Sequence, residues 1–266
     1  ETFYIGHGSP HLLVYESMPV RKFFESWMQK IYSERPTSIL IISAHWHTDE
    51  PTITAVDACD TIHDFEELEA AFQGLPDVLY QMKYPAPGAP NTAERVQQLL
   101  TNSGFDQVHL DKNRGLDHGA WVPLKVMYPD SDIPVCQLSV QPHQDARHHY
   151  NIGRALAPLK EEGVLIIGSG KVTHNLKEVD IGAKELVPWA AEFDNWVELA
   201  LTAGRYEDVN NYEKKAPHAK RAHPLPDHLY PLHVAMGASG EGSKAELIHR
   251  SVAAGTISFA SYKFTS

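Results

Sequence analysis

An α/β fold in one domain, with a central mostly parallel or mixed sheet flanked by helices on both faces, is the architecture this sequence predicts. Three observations predict it. Ser38-Ile39-Leu40-Ile41-Ile42 and Val164-Leu165-Ile166-Ile167 are β-branched apolar runs of strand length, the pattern of strands buried on both faces. Between Phe3-Tyr4-Ile5 and the first of these runs lies an amphipathic helical segment, which gives the strand, helix, strand order of a βαβ unit. Glycine, histidine and small polar residues gather directly after the apolar runs, where open α/β sheets place their ligand sites.

Taken in order, Phe3-Tyr4-Ile5 is a short strand that runs into the glycine-rich turn Gly6-His7-Gly8-Ser9-Pro10. From Pro19 to Tyr32, Val20, Phe23, Phe24, Trp27, Met28 and Ile31 recur at helical spacing. The run from Ser38 to Ser43 ends at Ala44-His45-Trp46-His47, and Ile53 to Val56 reads as a further strand. Tyr84-Pro85-Ala86-Pro87-Gly88-Ala89-Pro90 is a proline-rich loop before a helix from Thr92 to Leu100. Asp117-His118-Gly119-Ala120-Trp121 turns into a helix through Tyr128, and Ile133 to Val140 is apolar enough for a central strand. Ile152, Leu156 and Leu159 mark a helix from Asn151 to Lys160. Val164 to Gly168 is the clearest buried strand, ending at Gly168-Ser169-Gly170-Lys171-Val172-Thr173-His174-Asn175. Val187 to Ala203 is an aromatic-rich helix with Trp189, Phe193 and Trp196. Glu207 to Ala222 is polar and irregular, with Pro217 barring a helix. Pro226-Asp227-His228-Leu229-Tyr230-Pro231-Leu232 opens a helix through Met236, and Thr256 to Phe264 alternates as a last strand. No linker or shift in composition divides the chain, so residues 1–266 read as one domain.

The composition, 42% hydrophobic and 21% charged over 266 residues, suits one large core. Its 17 Gly and 18 Pro follow no repeat, which excludes a collagen-like or low-complexity chain. The apolar runs fall far short of the ~20 residues that a bilayer span requires. With 23 Lys and Arg against 34 Asp and Glu, the net charge of −11 repels polyanions, so neither nucleic acid nor an anionic membrane is an expected partner. Cys59 and Cys136 make no disulfide framework and fit a reducing compartment, which points to the cytoplasm.

The 16 histidines are the compositional excess that carries chemistry. His7, His45, His118 and His174 each sit in small or flexible residues at an expected strand end, and His228 precedes a helix. Strand ends on one sheet edge converge, so imidazoles far apart in sequence can meet at one ion with coordination positions left open. His47 forms a His-x-His pair with His45, but a chelate is the minority reading. His63, in Thr61-Ile62-His63-Asp64-Phe65, is a candidate for the cleft wall. His148, His149, His218 and His223 lie in polar segments and are expected on the surface. There is no His-Glu-x-x-His, Cys-x-x-Cys or Gly-x-Ser-x-Gly, and Gly168-Ser169-Gly170-Lys171 lacks the spacing of a phosphate loop.

Gly6-His7-Gly8-Ser9-Pro10, Ser43-Ala44-His45-Trp46, Thr61-Ile62-His63-Asp64-Phe65, Tyr84-Pro85-Ala86-Pro87-Gly88, Gly115-Leu116-Asp117-His118-Gly119-Ala120-Trp121 and His174-Asn175-Leu176, in that order, resemble the class III (LigB-type) extradiol ring-cleavage dioxygenases. The nearest branch is the plant DOPA 4,5-dioxygenase-like proteins, and the similarity runs from Phe3 to Ser261-Tyr262-Lys263-Phe264. The resemblance implies a LigB-like single catalytic domain with Fe(II) on His7, His45 and His228, the last standing where distant members use glutamate. Zn(II) is the ion expected to replace iron in isolated protein. It further implies that His174 is the acid–base residue, close enough to the metal to pass for a ligand, and that His118 lines the oxygen and substrate pocket. The implied substrates are a small catechol and O₂, and the implied assembly is a monomer or small homo-oligomer. Members devoted to betalain synthesis carry a proline and an acidic, threonine-containing stretch after the acid–base histidine. This chain has Asn175-Leu176-Lys177-Glu178-Val179-Asp180 there, so it is more similar to the general plant branch.

Ring opening needs such a residue set. O₂ is a triplet and a catechol a singlet, so their direct reaction is slow, and an ion with open positions brings both together. A histidine near neutrality can take a catechol proton and return it later. The same imidazoles could instead serve a zinc hydrolase through a metal-bound hydroxide. A non-catalytic metal-binding protein is the third reading, disfavoured because such a site has no need of His118 and His174.

Overall fold

The computed structural model describes residues 1–72 and 74–266. Its strands, in chain order, are β1 (Thr2–Gly6), β2 (Ser38–His47), β3 (Thr52–Thr54), β4 (His109–Asp111), β5 (Val135–Val140), β6 (Val164–Gly170), β7 (Lys244–His249), β8 (Val252–Ala253), β9 (Ile257–Ser258) and β10 (Ser261–Thr265). Eight of these form one mixed sheet in the order β4-β3-β5-β2-β6-β1-β10-β7, while β8 and β9 make a small ladder apart from it. The centre is parallel, with β2 between β5 and β6, and β6 between β2 and β1. Antiparallel strands close it on both sides, β10 against β1 and β3 against β5.

The continuous apolar runs are explained by this placement. Ile39 and Ile41 of β2 pack on one face with Phe3, Ile5, Phe24, Trp27 and Trp121, whereas Leu40 and Ile42 face the other core with Ile152, Phe193 and Leu232. Both faces of the central strands are therefore covered, as parallel sheets require. The helices Ala146–Leu156, Pro188–Thr202 and Tyr230–Ser239 supply one layer; Pro19–Glu25 and His118–Met127 contribute to the other. Among the described residues no helix is long and apolar enough to cross a membrane.

Several boundaries depart from expectation. The segment Pro19 to Tyr32 is not one helix: it is α-helical over Pro19–Glu25 and turns wider over Trp27–Ile31. Ser26 Oγ donates back to Phe23 O (2.8 Å), and buried Trp27 donates from its indole to Tyr128 Oη (3.0 Å), so tertiary anchoring outweighs regular helix here. The helix read from Asn151 starts at Ala146, because Asp145 caps it by accepting from His148 N (2.8 Å). Glu207 to Ala222 holds three short helices, Tyr206–Asn210, Tyr212–Lys215 and Ala219–Ala222, rather than irregular chain. The last strand is interrupted between β9 and β10, where the chain crosses Gly6 so closely that a Cβ there would lie 2.4 Å from Phe259 Cα. β4, β7 and the helix Glu66–Phe72 were not expected.

Candidate metal centre

Each histidine of interest is fixed by the element that delivers it. His7 follows β1 and its backbone N donates to Gly170 O (3.2 Å), with Gly8 taking the left-handed φ of 72° that lets the turn fold back. Its ring is fully buried, with Nδ1 3.1 Å from Ser169 Oγ. That hydroxyl donates to Gly119 O, so it accepts the Nδ1 proton and leaves the lone pair on His7 Nε2. His45 lies near the end of β2, past Ile42 where the pairing with β5 shifts register, and its N donates to Ser43 Oγ (3.2 Å). His228 ends the 3₁₀ turn Pro226–His228. Its backbone N–H and Nδ1–H both donate to Asp227 Oδ1, at 2.7 and 2.9 Å, which again turns a bare Nε2 inward. The carbonyl of His228 sits against Gly170, where a Cβ would come within 2.1 Å, and accepts from Tyr4 Oη (2.9 Å) and Lys171 N (3.0 Å).

The three rings meet. His45 Nε2 is 3.2 Å from His7 Nε2 and 3.2 Å from His228 Nε2. Together they could hold one metal ion, with all ligand atoms within 4.8 Å of one another. Burial pushes His7 and His45 well below the ordinary imidazole range, reinforced by Lys171 beside His7 and His118 beside His45. Burial also takes His228 down to about 4, although Asp227 pulls it upward. Asp227 itself loses by burial, but His228 and His47 more than offset this and hold its carboxylate well below its usual range. At neutral pH these are neutral donors, the form that ligates metals.

Two further histidines border the centre. His118 opens the helix His118–Met127; its N and Nδ1 donate to Asp64 Oδ1 and Oδ2 at 2.8 and 2.9 Å. Its ring centroid is 3.9 Å from that of His45, and its buried Nε2 has no hydrogen-bond partner among the described residues. His174 follows β6, is tied by its N to Ala222 O (3.1 Å), and stacks on His228 at 3.6 Å between ring centroids and 20° between planes. Burial, then the proximity of His228 and Lys171, lowers it well below the usual range. A cleft of about 250 Å³ is lined by His45, His118, Lys171, His174 and Asp227 among others. A larger cavity of about 460 Å³ shares His174, Leu176 and Asp227 with it and adds Asn175, Lys177 and Leu225.

His7, His45, His118, His174 and His228 are thus all brought together. The other histidines are not part of the triad. His47 lines the cleft, but its Nε2 lies 2.9 Å from Ala44 O and 3.1 Å from Asp227 Oδ2, so it supports the carboxylate behind His228. His63 donates to Met82 O (2.9 Å) and packs on Phe65, Tyr80 and Trp121, away from the cleft-lining set. His149 and His223 were expected on the surface and are buried, because helix Ala146–Leu156 and the turns before Pro224 present them inward. His218 is exposed, as expected, and His148 is half-buried; they are bonded to Glu192 Oε2 (2.9 Å) and Gln141 Oε1 (3.2 Å) respectively. Sequence reasoning missed Asp64, Asp227 and Lys171. Asp64 follows His63 and Asp227 precedes His228, a carboxylate beside a histidine being the available signal; Lys171 was passed over with the phosphate-loop comparison.

The donor set fits a divalent transition metal, since two Nε2 lone pairs fixed by bonds on the far side of the ring converge with a third, and imidazoles suit both iron and zinc. The family model described as the catalytic LigB subunit of aromatic ring-opening dioxygenase matches residues 1–265. A protein from Beta vulgaris named 4,5-DOPA dioxygenase extradiol is 59% identical over 266 residues, covering 100% of this chain and 97% of the relative. One of the same name from Portulaca grandiflora is 54% identical over 267 residues, covering 100% and 96%. The crystal structure of an uncharacterized protein from Escherichia coli K12 matches with a TM-score of 0.79 at 31% identity, over 98% of each chain. A family model matched over residues 1–265 and relatives more than half identical along the whole chain show that the chain belongs to the LigB family of aromatic ring-opening dioxygenases.

Proposed function

We propose that residues 1–266 act as one catalytic domain that opens the ring of a small catechol, DOPA or a related compound, with O₂ at a non-haem Fe(II) site, giving a muconic semialdehyde. What supports this reading is that the Nε2 atoms of His7, His45 and His228 converge where His45 shares one cleft with two more histidines, His118 and His174, each of which also clusters with a member of that triad. A metal-storage or purely structural site requires only the triad.

In this reading His7, His45 and His228 hold the ion. The bound ion would supply adjacent positions for both catechol oxygens and for O₂ and a path for electrons between them. His174, kept neutral by burial, accepts a proton from a catechol hydroxyl and returns it as the ring opens. His118, its ring fixed by Asp64, turns Nε2 toward the oxygen atoms on which negative charge develops. Helix Glu66–Phe72 begins beside Asp64 and, through Glu66 and Leu68, forms part of the cleft wall that limits water access. The free, buried thiols Cys59 and Cys136 accord with the cytoplasm as the place of action.

DOPA enters from the names of the relatives, and Asn175, Leu176 and Lys177 line the larger cavity where its amino-acid tail has room beside His174. With no proline-containing acidic stretch at this point, DOPA is expected to be cut weakly or in mixed fashion, between C4 and C5 and between C2 and C3, with other catechols tolerated. Anaerobic reconstitution with Fe(II), followed by oxygen-uptake measurement and mass analysis over a catechol panel, tests the reading. One O₂ consumed per catechol, with both atoms in the product, is expected. Hydrolysis of esters without oxygen uptake would instead favour a zinc hydrolase.

A further inference from the structure

The larger cavity, of about 460 Å³, shares His174, Leu176 and Asp227 with the cleft and has Ala70, Leu176, Pro224 and Leu225 as apolar walls. Two charged residues interrupt those walls. Asp227 is committed, since its carboxylate accepts two bonds from His228 and lies 3.1 Å from His47 Nε2. Lys177 is not: it is exposed, and no carboxylate among the described residues pairs with its ammonium. The neighbouring acid, Glu178, is drawn away by Arg221, which donates to both of its oxygens.

The backbone that carries Lys177 is fixed. Asn175 is buried; its Oδ1 accepts from Lys177 N (2.9 Å) and its Nδ2 donates to Arg221 O (2.8 Å), which ties the turn Leu176–Glu178 to the helix Ala219–Ala222. Lys177 stands three residues beyond His174, at most ~11 Å along the chain, a span comparable with that from a catechol hydroxyl to a carboxylate ending a three-carbon side chain. A net charge of −11 does not draw anions to the protein, so an anionic tail is selected only by a local cation. We infer that Lys177 is a specificity-determining residue, its ammonium pairing with a carboxylate at the end of a catechol's side chain while the apolar walls hold the carbons between. The preferred substrates are then catechols with an arylpropionate-type tail rather than those ending in an amine. This rests on the function proposed above and narrows it to a substrate class; Lys177 exchanges no proton and forms no covalent bond.

The experiment compares 3,4-dihydroxyphenylpropionate, dopamine and 4-methylcatechol by oxygen uptake with the Fe(II)-reconstituted protein, each kcat/KM being divided by that of 4-methylcatechol. In wild type the propionate is expected to exceed dopamine by ~10-fold, attraction of one tail adding to repulsion of the other. Lys177→Met should lower the propionate ratio ~5-fold through KM rather than kcat, the upper end for one exposed ion pair. Lys177→Glu should invert the order of propionate and dopamine, and Lys177→Arg should keep the wild-type order, a pattern that a merely structural role would not produce. A second readout needs no turnover: 3-phenylpropionate, which has no catechol hydroxyls, should bind the zinc-loaded wild type ~5-fold more tightly than Lys177→Met, as read by ligand-observed NMR. Wild-type ratios together with wild-type phenylpropionate affinity in Lys177→Met would overturn the role of Lys177 and leave the catechol reading intact. No oxygen uptake with any of the catechols, beside phenylpropionate binding that Lys177→Met weakens, would overturn the catechol reading and keep the carboxylate site.

Discussion

His149 and His233 are as buried as His7 and His228, and burial lowers all four below the ordinary imidazole range. What separates the pairs is the partner of each ring nitrogen. His149 donates from Nδ1 to Asp145 O (2.8 Å) and accepts at Nε2 from Gln141 N (3.1 Å); His233 has Nδ1 3.2 Å from Leu229 O and Nε2 3.2 Å from Val209 O. These rings are staples between backbone segments. In the cleft group, side chains hold Nδ1 of His7, His118 and His228, while Nε2 is turned toward other imidazoles or the cleft. Burial and a lowered proton affinity therefore fail to distinguish scaffold from site, and the direction of the second nitrogen succeeds.

Substitution sharpens this contrast most. His7→Ala, His45→Ala or His228→Ala should retain less than ~10% of the bound metal, while the metal-free forms unfold close to wild type. His149→Ala and His233→Ala should do the reverse, keeping the metal and losing ~2–4 kcal/mol of stability through a cavity and an orphaned backbone group. Metal content by elemental analysis beside urea unfolding measures both halves. Full metal content in His45→Ala would break the distinction.

His174 provides the next largest effect, since it borders the triad without closing it. His174→Ala should keep the metal and bind catechol yet open the ring ~10²–10⁴-fold more slowly, the usual scale for a lost acid–base group. Loss of metal in this variant would place His174 among the ligands instead, an outcome made concrete by the cluster His174, Asp227 and His228.

How far the sequence discloses this distinction depends on local contrast. β2 and β6 are legible because both faces are covered and their runs Ile39 to Ile42 and Val164 to Ile167 are wholly apolar, and the histidines that follow β1, end β2 and follow β6 stand out against those runs. β4 and β7 are not, because they lie at the sheet edges with every residue exposed or half-buried and carry His109, Asp111, Lys244 and Glu246. His149 was misplaced for a related reason: its neighbours Arg147 and His148 are polar, and only the helix start at Ala146 decides which side faces the core. Asp64 and Lys171 reach the cleft through tertiary folding alone, Asp64 meeting a histidine 54 residues away and Lys171 one 164 residues away.

Acid should destabilise the metal-free protein through its buried histidines, those of the scaffold and those of the site alike. Burial lowers His223 and His233 from 6.5 to about 4. Between these values the unfolded chain binds protons that the folded chain refuses, so stability rises with pH and is lost as pH falls from 6.5 toward 4. The loss should approach ~3 kcal/mol for each such histidine, from ~1.4 kcal/mol per pH unit. Urea midpoints that stay level across this window would show that these imidazoles ionise inside the fold.

The smallest effect tests whether a side-chain carboxylate orients a cluster histidine as firmly as backbone groups orient a staple. Asp227 Oδ1 accepts two bonds from His228, and Oδ2 lies 3.1 Å from His47 Nε2, so one carboxylate fixes both the tautomer and the angle of a ligand. Asp227→Asn keeps the shape and can still offer its carbonyl oxygen to Nδ1–H, but removes the negative charge that makes Nε2 a stronger donor. Metal affinity should fall by ~10-fold, the lower end of the range for such supporting groups. Stability of the metal-free form should fall slightly, since His228 and His47 favour this carboxylate in the folded protein and hold it well below its usual range. Chelator competition and urea unfolding on the same preparation read the two quantities. A metal affinity equal to wild type would mean that Pro226 and the turn alone aim His228, and that the cluster, like the staples, is held by its backbone.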